Sequence, residues 1–225
     1  LIDEVRKEIF MSSPIHGDDT IVKVLAPGMG KTKTGRLWVY VRDTRPHGDK
    51  TPPAICYYYS PDRKGERPAD HLKDFKGVFQ ADAYPGYDRL YKNPESTITE
   101  AACWAHTRRK FYEIAQINDK AKIANNALER IAKIYLVEEK IKGLPPDVRQ
   151  KVREKESKEL VDNLLKDWKK YYAELPRKSP TAGAIAYALN NEVALKRFLE
   201  NGKIEIDNNA AERAMRTVAI GRKNW

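Results

Sequence analysis

Three short runs of β-branched and aromatic residues follow one another in the first sixty positions, and they constrain the fold more than any other feature. Each run is bounded by turn-forming residues, such as the Pro-Gly-Met-Gly segment at 27–30. Short β-rich runs separated by turn residues predict an antiparallel meander. The predicted strands cover residues 21–25, 37–41 and 54–59.

Further elements extend this meander into a mixed sheet. A helix predicted over 68–75 precedes a fourth strand at 77–82, and a fifth strand at 98–103 leads into a helix over 105–117. Strands grouped first, with one strand-helix-strand crossover, favour a mixed α/β sheet with helices on its faces.

The second half of the chain has helical periodicity instead. Apolar side chains share one helical face between residues 124 and 135 and again between 161 and 172, with two prolines between the stretches. Such stripes are typical of core packing. We predict a helix over 182–200, a short extended piece at 204–206 and a final helix over 208–217 with Asp207 as its N-cap. The predicted organisation is a first core part at 14–117, an all-helical insertion at 118–180 and a second core part at 181–225.

Acidic side chains stand at three notable places in this plan. Asp18 and Asp19 begin the first β-rich run, Asp82 ends a strand, and Glu212 shares a helix face with Asn208, one turn earlier. Divalent cations such as Mg²⁺ prefer carboxylate oxygens, and two ions about 3.5–4 Å apart can promote in-line phosphoryl transfer. Taken singly, each acid fits a turn, a cap or an ion pair equally well.

The residues around these acids form motifs that occur in a fixed order. The motifs are His-Gly-Asp-Asp-Thr at 16–20, Gln-Ala-Asp-Ala-Tyr at 80–84, Cys-Trp-Ala-His-Thr-Arg-Arg-Lys-Phe at 103–111, Asp-Asn-Asn-Ala-Ala-Glu-Arg at 207–213 and Gly-Arg-Lys-Asn-Trp at 221–225. Together they resemble the transposases of the bacterial insertion sequence 66 family, and the likeness runs from about Pro14 to Trp225.

Members of that family are DDE transposases with an RNase H-like catalytic domain. The resemblance therefore implies an RNase H-like α/β fold, with a helical insertion before the helix that carries the last acid. It also implies Asp18, Asp82 and Glu212 as the catalytic, metal-binding acids. The family usually has Asp-Glu-Thr where this chain has Asp18-Asp19-Thr20, so Asp19 is the alternative first ligand.

The same resemblance places supporting residues near the acids. Cys103 and His106 form half of a zinc site, and the chain has no second pair to complete it, which argues against zinc. His106 is expected to contact a phosphate or orient a metal-bound group, or else to belong to a packed helix start. Asn208 and Asn209 are the other expected supports. The basic residues expected to neutralise DNA phosphates are Arg108, Arg109, Lys110, Arg213, Arg216, Arg222 and Lys223.

Charge and composition narrow the function further. The net charge of +10 and pI near 9.4 favour a polyanionic partner. They fit poorly with glycoside hydrolysis by paired carboxylates. The two cysteines predict no disulfide framework and a reducing cytoplasm. No apolar run approaches the roughly 18 residues of a membrane span. No signal peptide is predicted, and a start at Leu1 suggests a piece of a longer protein.

The sequence thus predicts the catalytic core of a DNA transposase, performing metal-dependent strand cleavage and strand transfer. The expected cofactor is a pair of Mg²⁺ ions, with Mn²⁺ as a substitute. The expected partners are transposon ends and target DNA, bound by a homo-oligomer at the bacterial nucleoid. Two alternatives remain open: an RNase H-like nuclease without strand transfer, and a catalytically inactive DNA-binding remnant.

Overall fold

The computed structural model describes residues 1–221, and the chain divides into two compact units. The first unit comprises Leu1–Thr44, Thr51–Glu100 and the chain from Asn208 onward. The second comprises Arg45–Lys50 and Ala101–Asp207. Within residues 1–221, every helix is too short or too polar to cross a membrane.

A five-stranded mixed sheet forms the framework of the first unit, in the order β3-β2-β1-β4-β5. β1 is antiparallel to β2, β2 is antiparallel to β3, and β4 is parallel to β1. Together with its flanking helices, this sheet confirms the predicted mixed α/β, RNase H-like fold class. The strands are β1 (Ile15–Ala26), β2 (Lys31–Arg42), β3 (Ala54–Ser60), β4 (Gly77–Gln80) and β5 (Ile98–Ala101).

Both faces of this sheet are covered by helices, because both faces of β2 are apolar. On one face of β2, Trp38 and Tyr40 pack into an aromatic core with Phe79. On the other face, Val39 and Val41 pack against α10. The helices of this unit are α1 (Ile2–Phe10), α2 (Glu66–His71), α3 (Asp88–Tyr91) and α10 (Asn209–Gly221), and the first three contribute to or adjoin the aromatic core.

The second unit is helical, as expected for the insertion, although the predicted boundaries at 118–180 stay a prediction. Trp168, an aromatic side chain of its helical stripe, packs in the core, as predicted: Phe111 stacks on Trp168, both are buried, and their ring centroids are 4.9 Å apart. A π-helical turn, Arg153–Ser157, joins two of its helices. The helices are α4 (Trp104–Ile117), α5 (Lys122–Lys140), α6 (Pro146–Val152), α7 (Lys158–Glu174), α8 (Pro180–Asn190) and α9 (Glu192–Glu200).

A buried ion cluster lies inside the second unit. The Arg153 guanidinium, which is fully buried, donates to both Glu138 carboxylate oxygens at 2.8 and 2.6 Å. It also donates to the backbone carbonyls of Phe198 and Ile204. Arg149 lies 3.5 Å from the same Glu138 carboxylate and 2.7 Å from the carboxylate of Glu205. Each charge is balanced by an opposite one, as burial in a low-dielectric interior requires.

Several predicted boundaries are wrong, each for a local reason. The single helix predicted over 182–200 is two helices, because Asn191 leaves helical geometry and its side chain donates to the carbonyl of Tyr187. The extended piece predicted at 204–206 forms no strand and follows a turn in which Ile204 N–H donates to the Asn201 carbonyl. The last helix begins at Asn209 and not at residue 208.

Two elements at the start of the chain also differ from the prediction. α1 was missed, although the spacing of Ile2, Val5 and Ile9 follows a helical stripe and Ile9 is buried. β1 begins at Ile15 and not at residue 21, so Asp18 lies inside the strand and not in a segment before it.

Candidate active site

Asp18 and Asp19 are neighbours in β1 but point to opposite faces of the sheet. Side chains alternate along a strand, and directly paired residues share a face. The register pairs Asp18 with Val39 and Asp19 with Trp38. Val39 packs against α10, whereas Trp38 belongs to the aromatic core. Asp18 therefore lies on the α10 face, and Asp19 lies on the core face.

The Asp19 carboxylate is occupied by two arginines. It is 1% exposed and accepts hydrogen bonds from Arg36 Nη1 at 2.8 Å and Arg63 Nη2 at 2.8 Å. Arg63 also donates through Nε, so it binds this carboxylate with two nitrogens. Oxygens already engaged by guanidinium groups are poorly available to a cation. This geometry favours Asp18 over Asp19 as the first acid.

Asn208 connects β1 to the first turn of α10. Its Nδ2 donates to the Gly17 carbonyl at 2.8 Å, and its Oδ1 lies 3.2 Å from Nδ1 of His16. Its own carbonyl accepts the backbone N–H of Glu212 at 3.2 Å. Because His16 and Gly17 directly precede Asp18, these buried contacts hold the turn that carries Glu212 against the part of β1 that carries Asp18.

Asp82 lies two residues beyond the end of β4, the strand next to β1. The parallel register pairs His16 with Gln80, so β4 ends beside the part of β1 that carries Asp18. Phe79 and Ala81 belong to the aromatic core. The negative charge of Asp82 contributes to the raised pKa of Asp18, which indicates that the two carboxyl groups are near one another.

Arg63 joins this cluster from the segment after β3. Its Nη2 lies 3.9 Å from Asp82 Oδ2 while the same guanidinium binds Asp19. Its guanidinium carbon lies 3.9 Å from the centre of the Tyr84 ring, and the Tyr84 hydroxyl donates to the Arg63 carbonyl. Arg63 was not predicted as a site residue, because it is far along the chain from both acids and no periodic pattern connects it with them.

The pKa of Asp18 reflects its burial and the negative charges of the neighbouring acids. Its pKa is raised from 3.8 to about 7. Burial makes the largest contribution; the backbone N–H of Asp19, which donates to Oδ1 at 2.8 Å, opposes it. The negative charges of Asp82, Asp19 and Glu212 raise the pKa further. Asp18 thus lies in a negative, partly desolvated environment that a cation would relieve.

The donor set fits a hard divalent cation. It offers carboxylate oxygens, which Mg²⁺ and Mn²⁺ prefer. Asp18 and Asp82 come from neighbouring strands held in register, and Glu212 comes from a helix hydrogen-bonded to β1. Asp82 keeps 26% of its side chain exposed, and Glu212 is half-buried, so both are accessible from solvent. Carboxylates this accessible can bind a cation that also contacts a substrate.

The remaining predicted site residues have varied positions. Cys103 and His106 lie in the second unit at the start of α4, the former buried and the latter half-buried. Asn209 is exposed on α10. Arg213 lies 3.3 Å from Asp43. Arg216 is exposed on α10, and Arg108 and Arg109 are exposed on α4. The Nζ atom of Lys110 lies 4.4 Å from the Tyr187 ring centre. Arg222 and Lys223 fall outside the described residues.

A mixed α/β domain in which Asp82 and Glu212 are close enough to Asp18 to raise its pKa defines the general class of this protein. Its family follows from comparison with known sequences. The sequence model described as "Transposase IS66 family" matches residues 1–225. The chain belongs to the IS66 family of transposases.

Curated relatives extend well beyond this chain. It is 38% identical over 238 residues to the uncharacterized protein y4hP of Sinorhizobium fredii, matching 100% of this chain and 43% of that protein. It is 37% identical over 229 residues to y4qI and 32% identical over 228 residues to y4jD, both uncharacterized proteins of the same organism; it covers 42% and 44% of their lengths. The chain spans less than half the length of these relatives.

Proposed function

We propose that this chain is the catalytic core of a DDE transposase that cleaves and joins DNA with divalent cations held by Asp18, Asp82 and Glu212. The supporting observation is that Asp82 and Glu212 approach Asp18 within the first unit, Glu212 through the hydrogen bonds of Asn208 to β1. Their mutual repulsion contributes to the raised pKa of Asp18. The family supports a role in transposition, and the cleavage and transfer steps are our proposal.

The proposed chemistry needs no protein nucleophile. A pair of Mg²⁺ ions would activate the attacking oxygen and stabilise the leaving oxygen of an in-line displacement. Hydrolysis at a transposon end would free a 3′-hydroxyl, and that hydroxyl would then attack a target phosphodiester. The three carboxylates would hold the cations, and the cations would bind the scissile phosphate. Asn208 fixes the turn that carries Glu212 through its bonds to β1.

Asp19 has a different role in this proposal. Its carboxylate holds Arg63, and Arg63 lies beside Asp82. Asp19 would therefore position the cationic side of the cluster and bind no metal.

The wider assignments follow from the family and from charge. The net charge of +10 suits transposon ends and target DNA as partners. Arg213 and Arg216 on α10, and Arg108, Arg109 and Lys110 on α4, are proposed DNA contacts. We also propose that the protein acts as a homo-oligomer at the bacterial nucleoid, and that residues 14–117 and 181–225 form the core around an insertion at 118–180.

The test is a cleavage and joining assay on paired transposon ends, with Asp82→Asn as the variant. We expect cleavage to fall by more than about 100-fold, since even residues outside the ligand shell contribute 10–100-fold. Asp88→Asn is the matched control, because Asp88 is a surface acid that pairs at i,i+4 with Lys92. A folded Asp82→Asn protein that still cleaves would eliminate the metal role. Cleavage without joined products would indicate a nuclease.

A further inference from the structure

β1 and β2 continue beyond the sheet as a two-stranded ribbon, residues 21–35. β3 pairs with β2 only from Arg36 onward, and β4 pairs with β1 only at residues 15 and 16. Among the strand pairings of residues 1–221, positions 21–26 and 31–35 therefore pair with each other alone. At about 3.3 Å per residue, the ribbon extends roughly 20 Å past the sheet.

The ribbon carries positive charge without any acid to balance it. From Thr20 to Arg42 the sequence contains no Asp or Glu. Lys23, Lys31 and Lys33 are all exposed on the ribbon. Lys23 donates to Thr34 across the two strands at 2.9 Å, and this bond leaves its charge uncompensated. A protruding element of this kind attracts a polyanion.

The direction of the ribbon relates it to the acids. β1 runs parallel to β4, and Asp82 follows the end of β4, so β1 extends past the same edge of the sheet. The register pairs Lys33 with Val24 and Lys31 with Ala26. Positions 18, 24 and 26 share one face by alternation, which places Lys31 and Lys33 on the Asp18 face of the strand pair.

The tip of the ribbon exposes apolar side chains as well. Leu25 is 83% exposed and Met29 is 53% exposed, on either side of Pro27 and Gly28. Lysines beside small apolar side chains suit a DNA groove, where cations meet phosphates and apolar groups meet sugars and base edges. A second protein surface would have to supply acids to match the ribbon, whereas duplex DNA supplies them at every phosphate.

We propose that the ribbon at residues 21–35 is a DNA-contacting arm that binds backbone phosphates of the duplex beside the acidic cluster. A two-stranded ribbon fits the major groove, which is about 12 Å wide. The inference rests on the proposed function only in taking DNA as the ligand of this face. Lys31 and Lys33 supply phosphate contacts on the Asp18 face of the ribbon, and Lys23 supplies one on its opposite face.

The experiment measures the salt dependence of binding to a fluorescent 30-base-pair duplex, with EDTA present so that no catalysis occurs. The variant carries Lys23→Gln, Lys31→Gln and Lys33→Gln. Each lost phosphate contact lowers the slope of log affinity against log salt by about 0.9, so we expect a loss approaching 3. The control carries Lys133→Gln, Lys151→Gln and Lys166→Gln, which are exposed positions and give the same net charge. We expect a clearly smaller loss of slope in the control.

A ribbon variant that loses no more slope than the control would overturn the inference. So would a ribbon variant that binds DNA normally but changes the oligomeric state in sedimentation, because the ribbon would then be a protein interface. Duplex binding through the ribbon by a protein that cannot cleave DNA in Mg²⁺ would refute the proposed function and leave the ribbon assignment standing.

Discussion

Replacing Asp18 with asparagine tests the burial and the crowding of its negative charge together, because the substitution keeps the shape of the side chain and removes its charge. The asparagine oxygen can still accept the backbone N–H of Asp19, as Asp18 Oδ1 does at 2.8 Å. The repulsion from Asp82 and Glu212 disappears. We therefore expect Asp18→Asn to stabilise the metal-free protein at alkaline pH.

The magnitude follows from the pKa of Asp18, which is about 7 in the folded protein and 3.8 for an unperturbed side chain. The folded state retains the proton over a pH range in which the unfolded state has released it. Stability is therefore lost as pH rises from about 4 to about 7. Three pKa units correspond to about 4 kcal/mol at most. Between about pH 5 and pH 8 we expect a relative change of about 2–3 kcal/mol.

The assay is urea unfolding of wild-type and Asp18→Asn protein in EDTA at these two pH values. Comparing the two proteins cancels the titration of the groups that do not interact with Asp18. Asp19→Asn is the matched control, because its carboxylate binds Arg36 and Arg63 and contributes favourably. That variant should lose on the order of 2–3 kcal/mol, as expected for hydrogen bonds to charged groups. The same substitution at the neighbouring residues Asp18 and Asp19 should thus change the free energy of unfolding in opposite directions.

Cation binding should reverse the stability advantage that Asp18→Asn has over the wild-type protein in EDTA. A ligand that binds only the folded state stabilises it in proportion to the logarithm of its concentration above Kd. Adding Mg²⁺ at pH 8 should therefore stabilise the wild-type protein more than Asp18→Asn. Equal stability differences at both pH values, with no separate effect of Mg²⁺, would refute the reasoning about this acid.

Two further substitutions test the packing of each unit. Gly17→Ala would place a Cβ 2.3 Å from the buried Phe79 ring, so urea unfolding should show that the free energy of unfolding falls by about 1–3 kcal/mol. In the control Gly183→Ala, the added Cβ meets nothing within 4 Å and stability should not fall. Similar losses of stability in both variants would contradict the steric account. Glu138→Gln would leave the buried Arg153 guanidinium without its carboxylate and should lower the free energy of unfolding by about 3–5 kcal/mol. The control Glu139→Gln is exposed and should change it by less than about 0.5 kcal/mol. Equal thermal stability of the two variants would disprove the contribution of the buried ion cluster to stability.

The fold class could be predicted from sequence because its signals are local. Runs of β-branched and aromatic residues bounded by turn-forming residues define β2 and β3, and the predicted strands at 37–41 and 54–59 fall inside them. Helical periodicity likewise located α5 and α7. Boundaries were less accurate wherever one polar side chain decides them, as Asn191 does between α8 and α9.

The arrangement around the acids depends on contacts that no local pattern records. The choice between Asp18 and Asp19 is made by the strand register and by α10, which lies almost two hundred residues further along the chain. Arg63 approaches both Asp19 and Asp82 through a loop conformation. The motifs named the acids, whereas the faces they occupy required the three-dimensional structure.

The central claim is that Asp18, Asp82 and Glu212 together hold divalent cations, and titration of the metal-free protein with Mn²⁺ by calorimetry tests it most directly. We expect saturable binding in the wild-type protein and in Asp88→Asn. Affinity should fall at least about tenfold in Asp18→Asn, in Asp82→Asn and in Glu212→Gln. Unchanged Mn²⁺ binding in all three folded variants would contradict the claim.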